Sequence, residues 1–130
     1  MAGMGRRNAK AKANMVQEIR PAQALFMWRD VNLAQVLAGA PDLSSRQYAI
    51  LMTIYLDLPP HTVRGLAERL NVTKPVITRA LDTMGKLGLV TRERDALDRR
   101  NVIIKRTVAG AQAIDHLAEL IVMHLKDLNR

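Results

Sequence analysis

The sequence contains no cysteine. That excludes disulfides, thiolate metal centres and cysteine nucleophiles, and the composition fits a reducing compartment. Aromatic residues are nearly as scarce: Phe26, Trp28, Tyr48 and Tyr55 are all there are among 130 residues. A protein that holds single-stranded nucleic acid by stacking bases on rings needs more of them. No apolar run approaches the ~18 residues of a membrane span, and the N-terminus lacks a signal peptide's apolar core. The expectation is a cytoplasmic chain with no membrane partner. Patterns of catalysis are missing as well. There is no glycine-rich phosphate loop, no G-x-S-x-G turn and no carboxylate pair in a credible setting, so the chain does not read as an enzyme. His116 and His124 lie eight residues apart, without HxxxH or HExxH spacing, and only His61 remains elsewhere. Solvated or interfacial histidines fit that pattern better than a metal site does.

Acidic residues are scarce locally. Residues 1–14 carry four basic side chains and no acidic one, and residues 61–106 carry 11 basic against 5 acidic. The stretches 15–60 and 107–130 are each −1, within a total of +8. Basicity is therefore confined to the N-terminal tail and to one internal segment. A polyanion explains this better than solubility does, and double-stranded DNA is the first candidate. The alternative is a positive surface without a specific partner.

What is present suits a folded chain: 48% hydrophobic and 25% charged residues over a length that makes one domain. Residues 1–14, small, basic and non-periodic, read as a disordered arm that either follows DNA phosphates or merely solubilises. Residues 15–130 read as a single winged helix-turn-helix domain, mainly α with a small β-hairpin. Within it, 44–106 form the DNA-binding core with a wing over 89–106. Residues 15–43 and 107–130 supply helical dimerisation elements at the two ends.

The internal basic segment is the most informative. Ile77, Leu81 and Met84 recur at i, i+4, i+7, which places them on one helical face, while Pro75, Arg79, Asp82 and Lys86 lie opposite. Thr73 can cap this helix through its hydroxyl, and Pro75 is tolerated in a first turn. A helix over 74–87 is about 21 Å long, enough to lie in a major groove. Before it, Thr62 caps a short helix with Leu66, Ala67 and Leu70 buried, and Asn71 tolerates the left-handed turn between the two. Two helices separated by only three residues must cross steeply, which is helix-turn-helix geometry. After it, Gly88 terminates the helix. Leu89–Arg94 and Asn101–Arg106 read as strands joined by a long basic loop holding Arg99 and Arg100.

Elsewhere, Pro21 either starts or kinks a helix with apolar residues at Leu25, Trp28, Val31 and Leu37. Ser44 and Gln47 have capping-box spacing ahead of a helix whose expected core face is Tyr48, Leu51, Met52 and Tyr55. His61 and Thr62 suit a short edge strand. Thr107 caps a last helix with Ile114, Leu117, Leu120, Ile121, Leu125 and Leu128. Its apolar surface is too wide for one small body, so a second copy of the chain is expected there. The expected dimer contacts are Leu25, Trp28, Leu117, Ile121, Leu125 and Leu128.

At this point the sequence resembles the MarR family of bacterial winged helix-turn-helix regulators. The likeness runs over roughly 44–115. It rests on TVRGLAERLNVTKPVITRALDTMGKLGLVTRERD and on DRRNVIIKRTVAG, which is similar to the family's wing signature. By position, the resemblance implies DNA contacts from Thr73, Lys74, Pro75, Val76, Thr78 and Arg79. It implies Asp98 as a structural partner for an arginine in the wing, and Arg99 or Arg100 in a minor groove. It further implies a homodimeric regulator, more often a repressor, acting at the nucleoid on a pseudo-palindromic operator. No cofactor is expected. A small aromatic or acidic effector accords with the family but has no support in the residues. Three departures stand out: Pro75 and Val76 replace frequent Ser or Thr, Arg106 replaces a usual Leu, and the usual sixth helix has no counterpart before Arg130. Two other readings remain: a low-specificity architectural DNA-binding protein, and a winged-helix protein-interaction module.

Overall fold

The computed structural model describes residues 18–128. The arm expected over 1–14 lies outside the described residues. The chain gathers into two compact units rather than one body. One is Pro41–Leu117; the other has 18–40 and 118–128 as its described part. The division falls inside the last helix, not at its start.

In the unit Pro41–Leu117, α2 spans Ser45–Leu56, β1 His61–Thr62, α3 Val63–Leu70 and α4 Lys74–Lys86. They are followed by β2, Val90–Arg94, β3, Val102–Arg106, and the start of α5, Val108–Asp127. Their ends follow from local chemistry. Ser44 and Gln47 form the capping box of α2: Gln47 N–H donates to Ser44 Oγ at 3.1 Å, and Ser44 N–H to Gln47 Oε1 at 2.8 Å. Thr62 Oγ1 accepts from Gly65 N–H at 3.0 Å and opens α3. Asn71 ends α3 in the left-handed region with φ of 54°, and Gly88 follows α4 with φ of 75°. Thr107 Oγ1 accepts from Gly110 N–H at 2.9 Å at the head of α5.

The three strands form an antiparallel sheet in the order β1-β3-β2, with Arg92 opposite Ile104 and Ile104 opposite His61. Beneath it lies one apolar cluster. Ile50, Leu51 and Ile54 of α2 meet Leu66 and Ala67 of α3, and Ile77, Ala80, Leu81 and Met84 of α4. Leu89, Val90 and Ile104 close it from the sheet side. The α2 face differs from expectation: Ile50 and Ile54 are fully buried, while Tyr48, Met52 and Tyr55 are half-buried. Apolar residues surround that helix almost completely, so spacing alone does not choose a face. The Tyr55 ring sits at the margin because its hydroxyl needs partners. It donates to Leu89 O at 2.7 Å and accepts from Thr107 N–H at 3.0 Å, tying α2 to the head of α5.

In the other unit, Pro21 starts α1, which spans Pro21–Leu37, rather than kinking a longer helix. Val31 is its buried residue. Leu25 is 70% exposed and Trp28 51%. Leu125 is also exposed, and Ile121 and Leu128 are half-buried. Leu117 differs from the expectation that it faces a second copy: it is only 7% exposed. Gly110, Ile114 and Leu117 recur at four and three residues on one face of α5, and Ile114 packs on the cluster described above. That stripe serves the chain's own interior, which is why the sequence overstates the free apolar surface of this helix. No helix among the described residues is long and apolar enough to cross a membrane.

Candidate nucleic-acid interface

The recognition helix α4 buries Ile77, Ala80, Leu81 and Met84. Burial of those four turns the remaining side chains outward. Thr73, Lys74, Pro75, Thr78 and Arg79 are exposed and Val76 is half-buried. At 13 residues the helix is about 20 Å long.

Thr73 occupies the N-cap position with extended backbone, but its hydroxyl makes no capping bond. The reason is local. Pro75 has no N–H to offer, and the Val76 N–H goes instead to the Thr73 carbonyl at 3.1 Å. The Thr73 hydroxyl is thus left to face outward beside Lys74.

Arg79 and Asp82 are spaced for a helical ion pair, yet Asp82 is engaged elsewhere. Arg92 of β2 reaches it at 2.7 Å, joining the recognition helix to the wing. The Arg79 Nε donates to Pro75 O at 3.3 Å, which steadies the side chain without neutralising it. Lys86, at the other end of α4, has no acidic partner among the described residues.

The wing is braced from within. Arg94 Nη1 donates to Arg99 O at 2.8 Å across the loop, and Lys105 pairs with Glu93 at 3.0 Å across the strands. Asp95 and Asp98 turn back on the loop: their Oδ1 atoms accept from Leu97 N–H at 2.9 Å and Arg100 N–H at 3.1 Å. Asp98 also lies 3.5 Å from the Arg100 guanidinium, a pair on a side chain that is 94% exposed. Arg99 has no acidic partner among the described residues. The Arg94 brace was not legible beforehand, because a carbonyl acceptor leaves no mark in a sequence.

Arg106 does not belong to this surface. Its Nε donates to Ile54 O and its Nη2 to Asp57 O, both at 2.8 Å, and its guanidinium lies 5.8 Å from the Tyr55 ring centroid. It satisfies carbonyls at the end of α2 and so anchors β3.

A pattern emerges from the pairing. Arg64, Arg69, Arg92, Arg100 and Lys105 each meet a carboxylate within 4.0 Å, and Arg94 and Arg106 are held by carbonyls. Lys74, Arg79, Lys86 and Arg99 carry charge that no carboxylate among the described residues offsets. No group of three or more metal-ligating side chains occurs among the described residues.

The segment containing these elements has known relatives. Residues 43–102 match the model of the MarR family. Over 75 residues the chain is 35% identical to the HTH-type transcriptional repressor YetL of Bacillus subtilis, covering 56% of this chain and 44% of that one. Over 74 residues it is 35% identical to the transcriptional regulator HosA of Escherichia coli, covering 57% and 54%. The chain thus spans about half the length of the curated relatives it matches. A crystal structure of a MarR-family transcriptional regulator from Rhodococcus sp. RHA1 superimposes with a TM-score of 0.58 at 26% identity, covering 78% of this chain and 69% of that one. With its helix-turn-helix and its basic wing, the segment from α2 through the wing loop is similar to the MarR family of winged-helix regulators.

Proposed function

We propose that the protein is a sequence-specific, double-stranded DNA-binding transcriptional regulator, a homodimeric repressor acting at the nucleoid on a pseudo-palindromic operator. The observation that carries the reading is the distribution of unpaired charge. Lys74, Arg79 and Lys86 lie along one helix and Arg99 lies in the adjoining wing, while the other cations of the same unit, Arg46 apart, meet a carboxylate or are held by a carbonyl. A helix about 20 Å long fits a major groove about 12 Å wide, and a basic loop beside it suits the neighbouring minor groove or backbone. Arg79 would take a base edge, with guanine O6 and N7 the geometry that a guanidinium matches best. Pro75 and Val76, where hydroxyls are frequent, would offer apolar contact to thymine methyl groups. Arg99 or Arg100 would enter the minor groove. The two relatives named above are a transcriptional repressor and a transcriptional regulator, which supports the same reading.

Selection of bound sequences from a random duplex pool tests it. The expected outcome is an enriched pseudo-palindrome whose half-sites are centred about 10 base pairs, or a multiple of that, apart. Recovery of a pool with no preferred sequence, bound equally at every salt concentration, would leave only a charge-driven architectural protein.

A further inference from the structure

Beside the recognition helix, on the side facing α2, lies a groove of about 310 Å³. Its walls include Ser44 and Arg46 from the start of α2, and Val76, Arg79 and Thr83 from α4. None of its lining residues is acidic. Two guanidinium groups therefore share one small concavity with no carboxylate to offset either, and positive potential is focused there.

Among the described residues, the Arg46 side chain has no partner in the fold. Its side chain is exposed, and it makes no hydrogen bond or ion pair with any described residue. The capping of α2 is already complete through Ser44 and Gln47, so Arg46 is not needed for that either. It also lies outside the stretch 61–106 in which the sequence concentrates its positive charge, and for that reason composition does not single it out.

From this placement we infer that Arg46 is a DNA backbone anchor, gripping a phosphate on the wall of the major groove that the recognition helix occupies. The inference rests on the DNA-binding reading above and extends it to an element outside the helix-turn-helix and the wing. A helix seated in a major groove has a phosphate strand along each side, and Val76, Arg79 and Thr83 form the flank of α4 turned toward α2. A phosphate at that flank meets Arg46 and neutralises the groove. Such a contact positions the protein without reading sequence. Arg79 keeps the base-reading role, and the two arginines separate by what their loss does.

The experiment measures binding of wild type, Arg46→Ala and Arg46→Lys to the selected duplex and to one scrambled duplex, across 50–200 mM salt. Removing one phosphate contact lowers the log–log salt slope by about 0.9 per protomer, so the affinity lost across that range shrinks about 3.5-fold per protomer. Arg46→Ala is expected to show this on both duplexes with the sequence preference unchanged, and Arg46→Lys to retain most of the wild-type slope. Its thermal midpoint should match wild type, since no partner in the fold is lost. A wild-type slope in Arg46→Ala overturns this inference alone, as does a loss confined to one duplex. Failure of the wild-type protein to prefer any duplex overturns this inference together with the reading beneath it.

Discussion

On the DNA-binding reading proposed above, Arg79 illustrates how a single side chain is left available for a partner. Its own helix offers Asp82 three residues on, and a paired Arg79 would be a solvated surface residue with nothing to report. Arg92 takes Asp82 instead, at 2.7 Å, and Arg79 is steadied only by a carbonyl. Replacement by Ala should therefore leave folding stability nearly unchanged. It should cost about 1–3 kcal/mol on the preferred duplex and relax preference at one base position. Competition titrations against single-base variants of the selected site check this; an equal loss on every variant would reassign Arg79 to the backbone. The outward face of α4 was legible in the sequence because Ile77, Leu81 and Met84 fix the inward one. Which acid Arg79 would lose, and to what, was not, since Arg92 is ten residues from Asp82 on a different element.

Between elements, the decisive joint is where α2, the α4–β2 turn and the head of α5 meet. Three residues that the sequence presents separately converge there. Tyr55 bonds Leu89 and Thr107, Thr107 Oγ1 donates to Gly88 O at 2.7 Å, and Gly110 packs where a side chain would stand. A Cβ on Gly110 would fall on the Tyr55 hydroxyl and the Leu89 carbonyl. This gives the Thr-x-x-Gly pattern of residues 107–110 a physical meaning: the hydroxyl caps, and the missing side chain admits the tyrosine. Gly110→Ala should destabilise the fold by about 1–3 kcal/mol through overpacking. Tyr55→Phe should cost a similar amount, because the Thr107 N–H loses its acceptor in a half-buried place. The double variant should fall short of the sum, since removing the hydroxyl relieves part of the clash, and urea midpoints of the three proteins measure that coupling. Full additivity would mean that the two sites act independently. Element boundaries here were readable from Ser44, Thr62, Asn71, Gly88 and Thr107, all of which set backbone geometry locally. The joint was not readable, because it spans residues 55 to 110, and nothing local marks Arg106 as a cap for α2 rather than as one more basic wing residue.

For the molecule as a whole, the question is what covers the apolar side chains that the chain leaves open. Along α1, Leu25, Phe26, Trp28, Leu33, Val36 and Leu37 are each at least 49% exposed, and Val122, Met123 and Leu125 of α5 are exposed as well. Soluble monomers rarely present that many large apolar side chains in one unit, and a second copy of the chain is the occupant our reading assigns. Symmetry then links this surface to DNA. Two copies bound to two half-sites gain an avidity of about 10²–10⁴ over one copy on one half-site. Leu25→Asp combined with Trp28→Asp should yield a monomeric mass by light scattering at micromolar concentration. It should weaken binding to the full pseudo-palindrome by at least about 10²-fold, yet leave affinity for a single half-site duplex unchanged, because Arg79, Lys74 and Arg99 are untouched. A dimeric mass in that variant would move the interface elsewhere. Equal losses on the full site and the half-site would show instead that the substitutions damage the winged helix itself.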